Sequence, residues 1–362
     1  MRFDHRHYVP CLRWKLGEYQ AIRGLSGSTK DFITPLIEVP EIGFDFEHGE
    51  QSRSVDAHLE LFVKRVRPKW DGRHCFVDLR LIDPTERMTD RGHPVAFVFD
   101  GLASQNCAAT PVTGLDRDQH YQRAVRSAAS KDGRGMCLRL SIEDAARPDI
   151  KISVDVLLRN SDLDREECDL VIDLGAPNFE PVAGFAKLIT ELVARFPYLS
   201  QWRTLTLMGT SFPPSMAEIE IGSTIVRRWE WILYKRVVEL LVNLRHRLPT
   251  FGDYAINYPD ILPMDMRLLK PSATIRYTID DAWLFVKGRN VREHKFEQYR
   301  NHCQVVLESG HFLGARFSSG DRYIEDCAAG RGKTGNLSTW RQVGTSHHLE
   351  KVTHDIANFL AV

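Results

Sequence analysis

Short apolar runs recur along residues 8–257, and each ends on charged or hydroxyl-bearing positions. The runs are 8–15, 33–39, 75–81, 110–115, 136–141, 169–175, 204–211 and 250–257. A strand buried on both faces is a near-continuous apolar stretch, so these runs predict strands of a parallel sheet. The opening stretch shows the unit: YVPCLRWKLGE runs apolar until Lys15 and Glu18, and PLIEVP until Glu38. Between runs the apolar spacing becomes helical. Val55, Leu59, Phe62, Val63 and Val66 share one helical face, as do Val182, Phe185, Ile189, Leu192 and Val193. Further helices are predicted over 94–105, over 119–131 with a stop at Asp132-Gly133, and over 226–248. Alternating strands and helices imply right-handed crossovers. Eight such units over about 250 residues is the size of a closed (β/α)8 barrel, a TIM-barrel-like α/β fold. An open doubly wound sheet is the alternative, because periodicity does not reveal closure.

The pattern changes after residue 264. TIRYTIDDAWLFVKG predicts a hairpin turning at Asp280-Asp281, and HKFEQYRNHCQVVLES a helix. Residues 315–345 are predicted as a Gly-rich polar loop holding Trp340, and SHHLEKVTHDIANFL as a closing helix. The expected organisation is a barrel over 1–264 and a C-terminal α+β extension over 265–362 packed on it.

Composition narrows the function classes. Lys plus Arg and Asp plus Glu each number 48, so no net field draws the chain toward nucleic acid or an anionic membrane. Seven cysteines lie scattered without a CxxC pair, which fits reduced thiols in a cytoplasmic protein better than a disulfide framework or a zinc site. The N-terminal segment has no apolar signal core, and no run reaches the length of a membrane span.

In a barrel, the C-terminal strand ends converge on one mouth, where function collects. Lys15, Glu38, Asp78, Arg80, Arg139, Asp173 and Asp253 fall at such ends, with Tyr254 beside them. Charges inside apolar strands are costly unless paired or usefully hydrated. Arg80 and Arg139 suit a phosphate or carboxylate, because planar guanidinium makes forked hydrogen bonds. Glu38, Asp78 and Asp173 suit a general base or the ligands of a divalent metal. The bland reading is a salt-bridge layer capping the barrel, or charges turned outward to the helices. Lys15 as a Schiff-base lysine has no supporting cofactor cup; pairing with Glu38 or Asp78 is the favoured reading. His347 and His348 are expected in the first turn of the last helix, capped by Ser346 and able to reach over the mouth. Trp340 beside Arg341 is expected as a loop aromatic that closes a pocket.

YVPCLRWKLGEYQAIRGL followed by PLIEVPE, and later GDYAI and WRQVGTSHHLEKV, carry a resemblance in chain order to the beta family of bacterial and phage proteins. That family is named for the Beta protein of a satellite phage, which sits beside a small killing protein in a cluster associated with excluding other phages. The resemblance implies a role in phage–host conflict, as a defence or toxin-immunity component with a partner protein encoded nearby. It supplies no reaction. The function expected is recognition of an anionic ligand, such as a nucleotide, or of a partner segment at the charged mouth. The alternative is a metal-assisted hydrolase acting on a phosphate-containing substrate. Glu38, Asp78, Asp173 and His348 would be catalytic in that case; Lys15, Arg80, Arg139, Asp253, Tyr254, Trp340 and His347 would bind ligand.

Overall fold

The computed structural model describes residues 3–45, 50–260 and 270–359. In chain order the main elements are β1 (Tyr8–Leu12), α1 (Leu16–Arg23), β2 (Leu36–Glu38), α2 (Val55–Trp70), β3 (Cys75–Asp78), α3 (Pro94–Ser104), β4 (Ala109–Thr113), α4 (Gln119–Asp132), β5 (Met136–Ser141), α5 (Ile150–Ser161), β6 (Cys168–Asp173), α6 (Val182–Arg195), β7 (Thr204–Met208), β8 (Gly222–Arg227), α7 (Trp229–Asn243), β9 (Thr250–Asp253), β10 (Ser272–Ile279), β11 (Ala282–Asn290), α8 (Gln298–Glu308), α9 (Ser319–Ala328) and α10 (Leu337–Phe359). β1 pairs in parallel with β2 on one side and β9 on the other, which closes an eight-stranded barrel of order β1-β9-β7-β6-β5-β4-β3-β2. The open-sheet alternative is excluded by that closure.

Local signals set several boundaries. Asp118 accepts from the His120 and Tyr121 amides at the start of α4, and Gly133 ends that helix in the left-handed region (φ 60°). Ser54 caps α2 in the same way. The seven cysteines are all buried free thiols, packed as small hydrophobes. Among the described residues no helix is long and apolar enough to cross a membrane.

Three expectations are corrected. The helix expected over 226–248 is shorter, because residues 222–227 form β8, which pairs antiparallel with β11. With the predicted hairpin β10–β11 this makes a three-stranded sheet, β8-β11-β10. The 315–345 loop instead holds α9 and the start of α10, so Trp340 is helical, 1% exposed and stacked on Tyr299 at 4.1 Å. Its side chain packs in an apolar cluster of the extension instead of standing in a loop. His347 and His348 consequently lie in the middle of a 23-residue helix rather than at its start, and Ser346 is no cap.

α10 also completes the barrel. It lies beside α1 and α7: Thr29 donates to Glu350 at 2.6 Å, Arg228 reaches Asp355 at 3.4 Å, and Phe359 meets Trp231 edge-on. Leu349, Val352 and Ile356 join the same apolar cluster as the outward faces of the barrel strands. The expected boundary at 264/265 falls outside the described residues. Gly344 lets α10 approach β10 closely, since a Cβ there would stand 2.9 Å from the Arg276 carbonyl oxygen and 3.0 Å from Ile256. In an exposed helix Gly→Ala is worth roughly 1 kcal/mol of added stability. Here Gly344→Ala is expected to lower the denaturation midpoint despite that gain, and a raised midpoint would show that α10 does not seat on the sheet as described.

Candidate functional site

Strand alternation sorts the barrel interior into layers. Val9, Cys11, Leu36, Phe76, Val112, Cys137, Val171 and Met208 fill the middle with apolar side chains. One step further toward the C-terminal ends, the same inward phase carries Arg13, Glu38, Asp78, Arg139, Asp173 and Tyr254. The mouth therefore rests on an apolar layer.

Arg139 is its hub. Nε donates to Asp173 Oδ2 at 2.9 Å, Nη1 to Glu38 Oε1 at 2.8 Å and to Asp78 Oδ2 at 3.0 Å, and Nη2 to the Tyr254 hydroxyl at 2.9 Å. Nη2 also lies 2.7 Å from Asp173 Oδ2. All three nitrogens of the guanidinium are thus engaged, through four hydrogen bonds and this ion-pair contact. Tyr254 in turn donates to Asp173 Oδ2 at 2.6 Å. Three further arginines surround this hub. Arg80 Nε donates to Glu38 at 2.6 Å, Arg117 Nη2 approaches Asp78 at 3.4 Å, and Arg13 Nε stands 3.8 Å from Glu38 Oε2. Burial works to raise the Asp78 pKa, but Arg117, Arg139 and Arg80 outweigh it and hold the carboxyl below its ordinary value. Burial and Asp173 push the Tyr254 phenol well above its ordinary value, so it stays a neutral donor.

Above the hub opens a cavity of about 300 Å³. Arg80, Arg117, Arg139 and Tyr254 line its inner part, and Asp116, Glu143, Asp144 and Asp260 its rim. Every nitrogen of Arg139 has a protein partner, whereas Arg117 Nε is buried without one and Arg80 is partly exposed. Of the guanidiniums lining the cavity, Arg80 and Arg117 therefore keep capacity for a ligand; Arg13 Nε is likewise unpaired but does not line it. The 114–118 loop after β4 supplies Arg117, which the sequence reading overlooked, as it did Arg13. Arg13 was legible, because it shares the inward phase of Val9 and Cys11.

Other expected site residues lie elsewhere. Lys15 is half-exposed and pairs with Glu41 at 3.0 Å, not with Glu38 or Asp78. Asp253 has the opposite strand phase from Tyr254 and points outward, to His348 on α10 at 2.9 Å. Tyr8 donates to its other oxygen at 2.6 Å. Burial lowers the His348 pKa, so its Nε2–H donates to Asp253 while Nδ1 accepts from the Thr278 hydroxyl at 2.8 Å. His347 stacks on Tyr277 and faces two acceptors, Asp321 at 2.9 Å and the Thr278 carbonyl at 2.7 Å. Both histidines are fully buried between α10, β10 and the barrel wall and do not reach the mouth. Trp340 belongs to the second apolar cluster, with Tyr299 and Cys303.

Both the mouth and this histidine seam fall within the match to the Beta protein family model, which covers residues 8–354. The chain belongs to the Beta protein family. Comparison with curated proteins and with solved structures finds no match. In this Beta family chain the matched region runs through the barrel and into α10, so barrel and extension are one family unit.

Two outcomes follow for the Beta family protein. Replacing Arg139 with Met removes the cation facing Asp173 and weakens the pairing of buried Glu38 and Asp78, and should cost about 3–5 kcal/mol in urea unfolding; a change under about 1 kcal/mol would mean the charges are hydrated. Beside Asp253, Glu230 is buried against Arg228, and its pKa is pushed up to about 7. A folded-state pKa above the unfolded value of about 4.3 means the fold binds the extra proton between them. Stability should then fall as pH rises from about 4.3 to about 7, and Glu230→Gln should flatten that window.

Proposed function

We propose that this Beta family protein acts in phage–host conflict as a recognition component, and that the barrel mouth binds the anionic group of a small molecule or partner segment. The observation that carries the reading is the charge balance of the cavity floor. Four guanidiniums (Arg13, Arg80, Arg117, Arg139) face three buried carboxylates (Glu38, Asp78, Asp173), and the cation left over by that count is offset only by the exposed Asp116, which pairs with Arg117 from the rim. Arg139 spends its donors on the protein, while Arg80 and Arg117 keep donors for a ligand. An anion seated between them would be held by charge-assisted hydrogen bonds. The acidic rim then selects a ligand whose remainder offers hydrogen-bond donors or positive charge.

A metal-assisted hydrolase acting on a phosphate-containing substrate is the less favoured alternative, since Arg139 occupies the position that a cation between Glu38, Asp78 and Asp173 would take. Among the described residues no group of three or more His, Cys, Asp or Glu side chains is placed to hold a metal. The phage–host setting rests on the family resemblance alone. In a phage challenge with the native neighbouring genes, Arg80→Ala and Arg117→Ala should each reduce the effect at least tenfold at matched abundance. Lys15→Ala should leave it intact. Wild-type behaviour from both arginine variants would contradict the mouth as the site.

A further inference from the structure

β8 is the outer strand of its sheet. β11 pairs with one side of it, from Gly222 opposite Lys287 to Arg227 opposite Ala282, without a bulge. On the other side, the Ser211 hydroxyl reaches the Arg227 carbonyl at 3.3 Å, and no further backbone partner occurs among the described residues. An antiparallel strand points alternate backbone N–H and C=O groups away from its neighbour, so β8 presents a row of unpaired groups. Folded proteins usually blunt such an edge with proline, inward charge, a bulge or a cover. GSTIVR has no proline, and its one charge is the last residue. Ile221 and Ile225 stand 67% and 58% exposed beside it.

A groove of about 480 Å³ runs along this edge, between the sheet and α8. Ile221, Val286 and Val305 form its apolar wall, and Arg289 and His302 its polar end, beside Lys287, whose ammonium donates to the Ile219 carbonyl. His302 Nε2 is buried there without a hydrogen-bond partner. Glu218 and Glu220, the nearest acids in sequence, do not line the groove.

We infer that β8 accepts an added strand from a partner protein: an extended segment with β-branched residues on alternate positions and acidic residues over Lys287 and Arg289. Main-chain hydrogen bonds supply affinity in strand addition, and pockets for alternate side chains supply selectivity. Charge complementarity favours a partner over a second copy of this chain as the occupant, because GSTIVR carries no acid to set against Lys287 and Arg289. Antiparallel self-pairing centred on β8 sets Arg227 of the second copy opposite Gly222, one strand from Lys287. Two strand spacings are about 10 Å, close to the screening length, so the added repulsion is small and the missing acid is what separates the two occupants.

The test selects a displayed library of random decapeptides on the intact protein, then measures the enriched peptides by fluorescence anisotropy and amide hydrogen exchange. The expected peptides alternate β-branched residues and end in Asp or Glu. They should slow exchange at alternate amides of 222–226 and bind Ile225→Lys and Arg289→Glu at least tenfold more weakly, both variants retaining the wild-type melting temperature. Failure to enrich, enrichment of basic peptides, or equal binding to Ile225→Lys overturns the proposal. A concentration-dependent dimer that Ile225→Lys abolishes also overturns it, in favour of a second copy.

Discussion

The guanidinium of Arg139, enclosed at the mouth of the barrel, holds Glu38, Asp78 and Asp173 within hydrogen-bond distance, although those three carboxylates repel one another. They arrive there because β2, β3 and β6 each end with an inward-phase acid. Like charges a few ångströms apart cost on the order of several kcal/mol in a poorly hydrated site. One planar cation with five donors can face all three at once, which an ammonium cannot do with fixed geometry. The pairing also fixes Tyr254 and leaves Arg80 and Arg117 at the cavity with donors to spare. The salt-bridge layer and the cavity above it are thus two sides of one arrangement.

A second polar assembly does a different job. β9 ends on an outward acid, Asp253, and α10 brings His348 to it across the barrel wall. Thr278, His347, Asp321 and Tyr277 continue that network into the sheet of the extension. Every member is buried, and each hydrogen bond crosses between elements distant in sequence. Burying polar groups costs free energy unless they are paired, so the seam specifies one seating of α10 and rejects others. That is a structural role for residues whose types had suggested catalysis.

The barrel was legible because strands buried on both faces leave apolar runs that helical spacing interrupts, and the mouth because charge at the end of such a run is unusual. What failed to show has physical causes. The first half of α10 carries Ser338, Thr339, Gly344, Thr345 and Ser346, weak helix formers that suggest a loop. Tertiary packing overrides that preference, and Gly344 is the point of closest approach to β10. Asp253 and Tyr254 are neighbours, so a one-residue uncertainty in strand phase exchanges wall for mouth. β8 was absorbed into the following helix because Val226, Trp229 and Leu233 keep helical spacing across the boundary with no proline or glycine between them. Arg117 lies in a loop, where no periodicity reports direction.

The central claim is that Arg139 and the mouth carboxylates form one coupled unit beneath the cavity. A double-mutant cycle of Arg139→Met and Asp78→Asn, measured by urea unfolding at neutral pH, tests it most directly. Coupled charges predict that the double variant is less destabilised than the sum of the singles, with an interaction energy of about 1–3 kcal/mol. Additive effects, within about 0.5 kcal/mol, would mean that the two groups do not sense each other and that the mouth is not organised by Arg139.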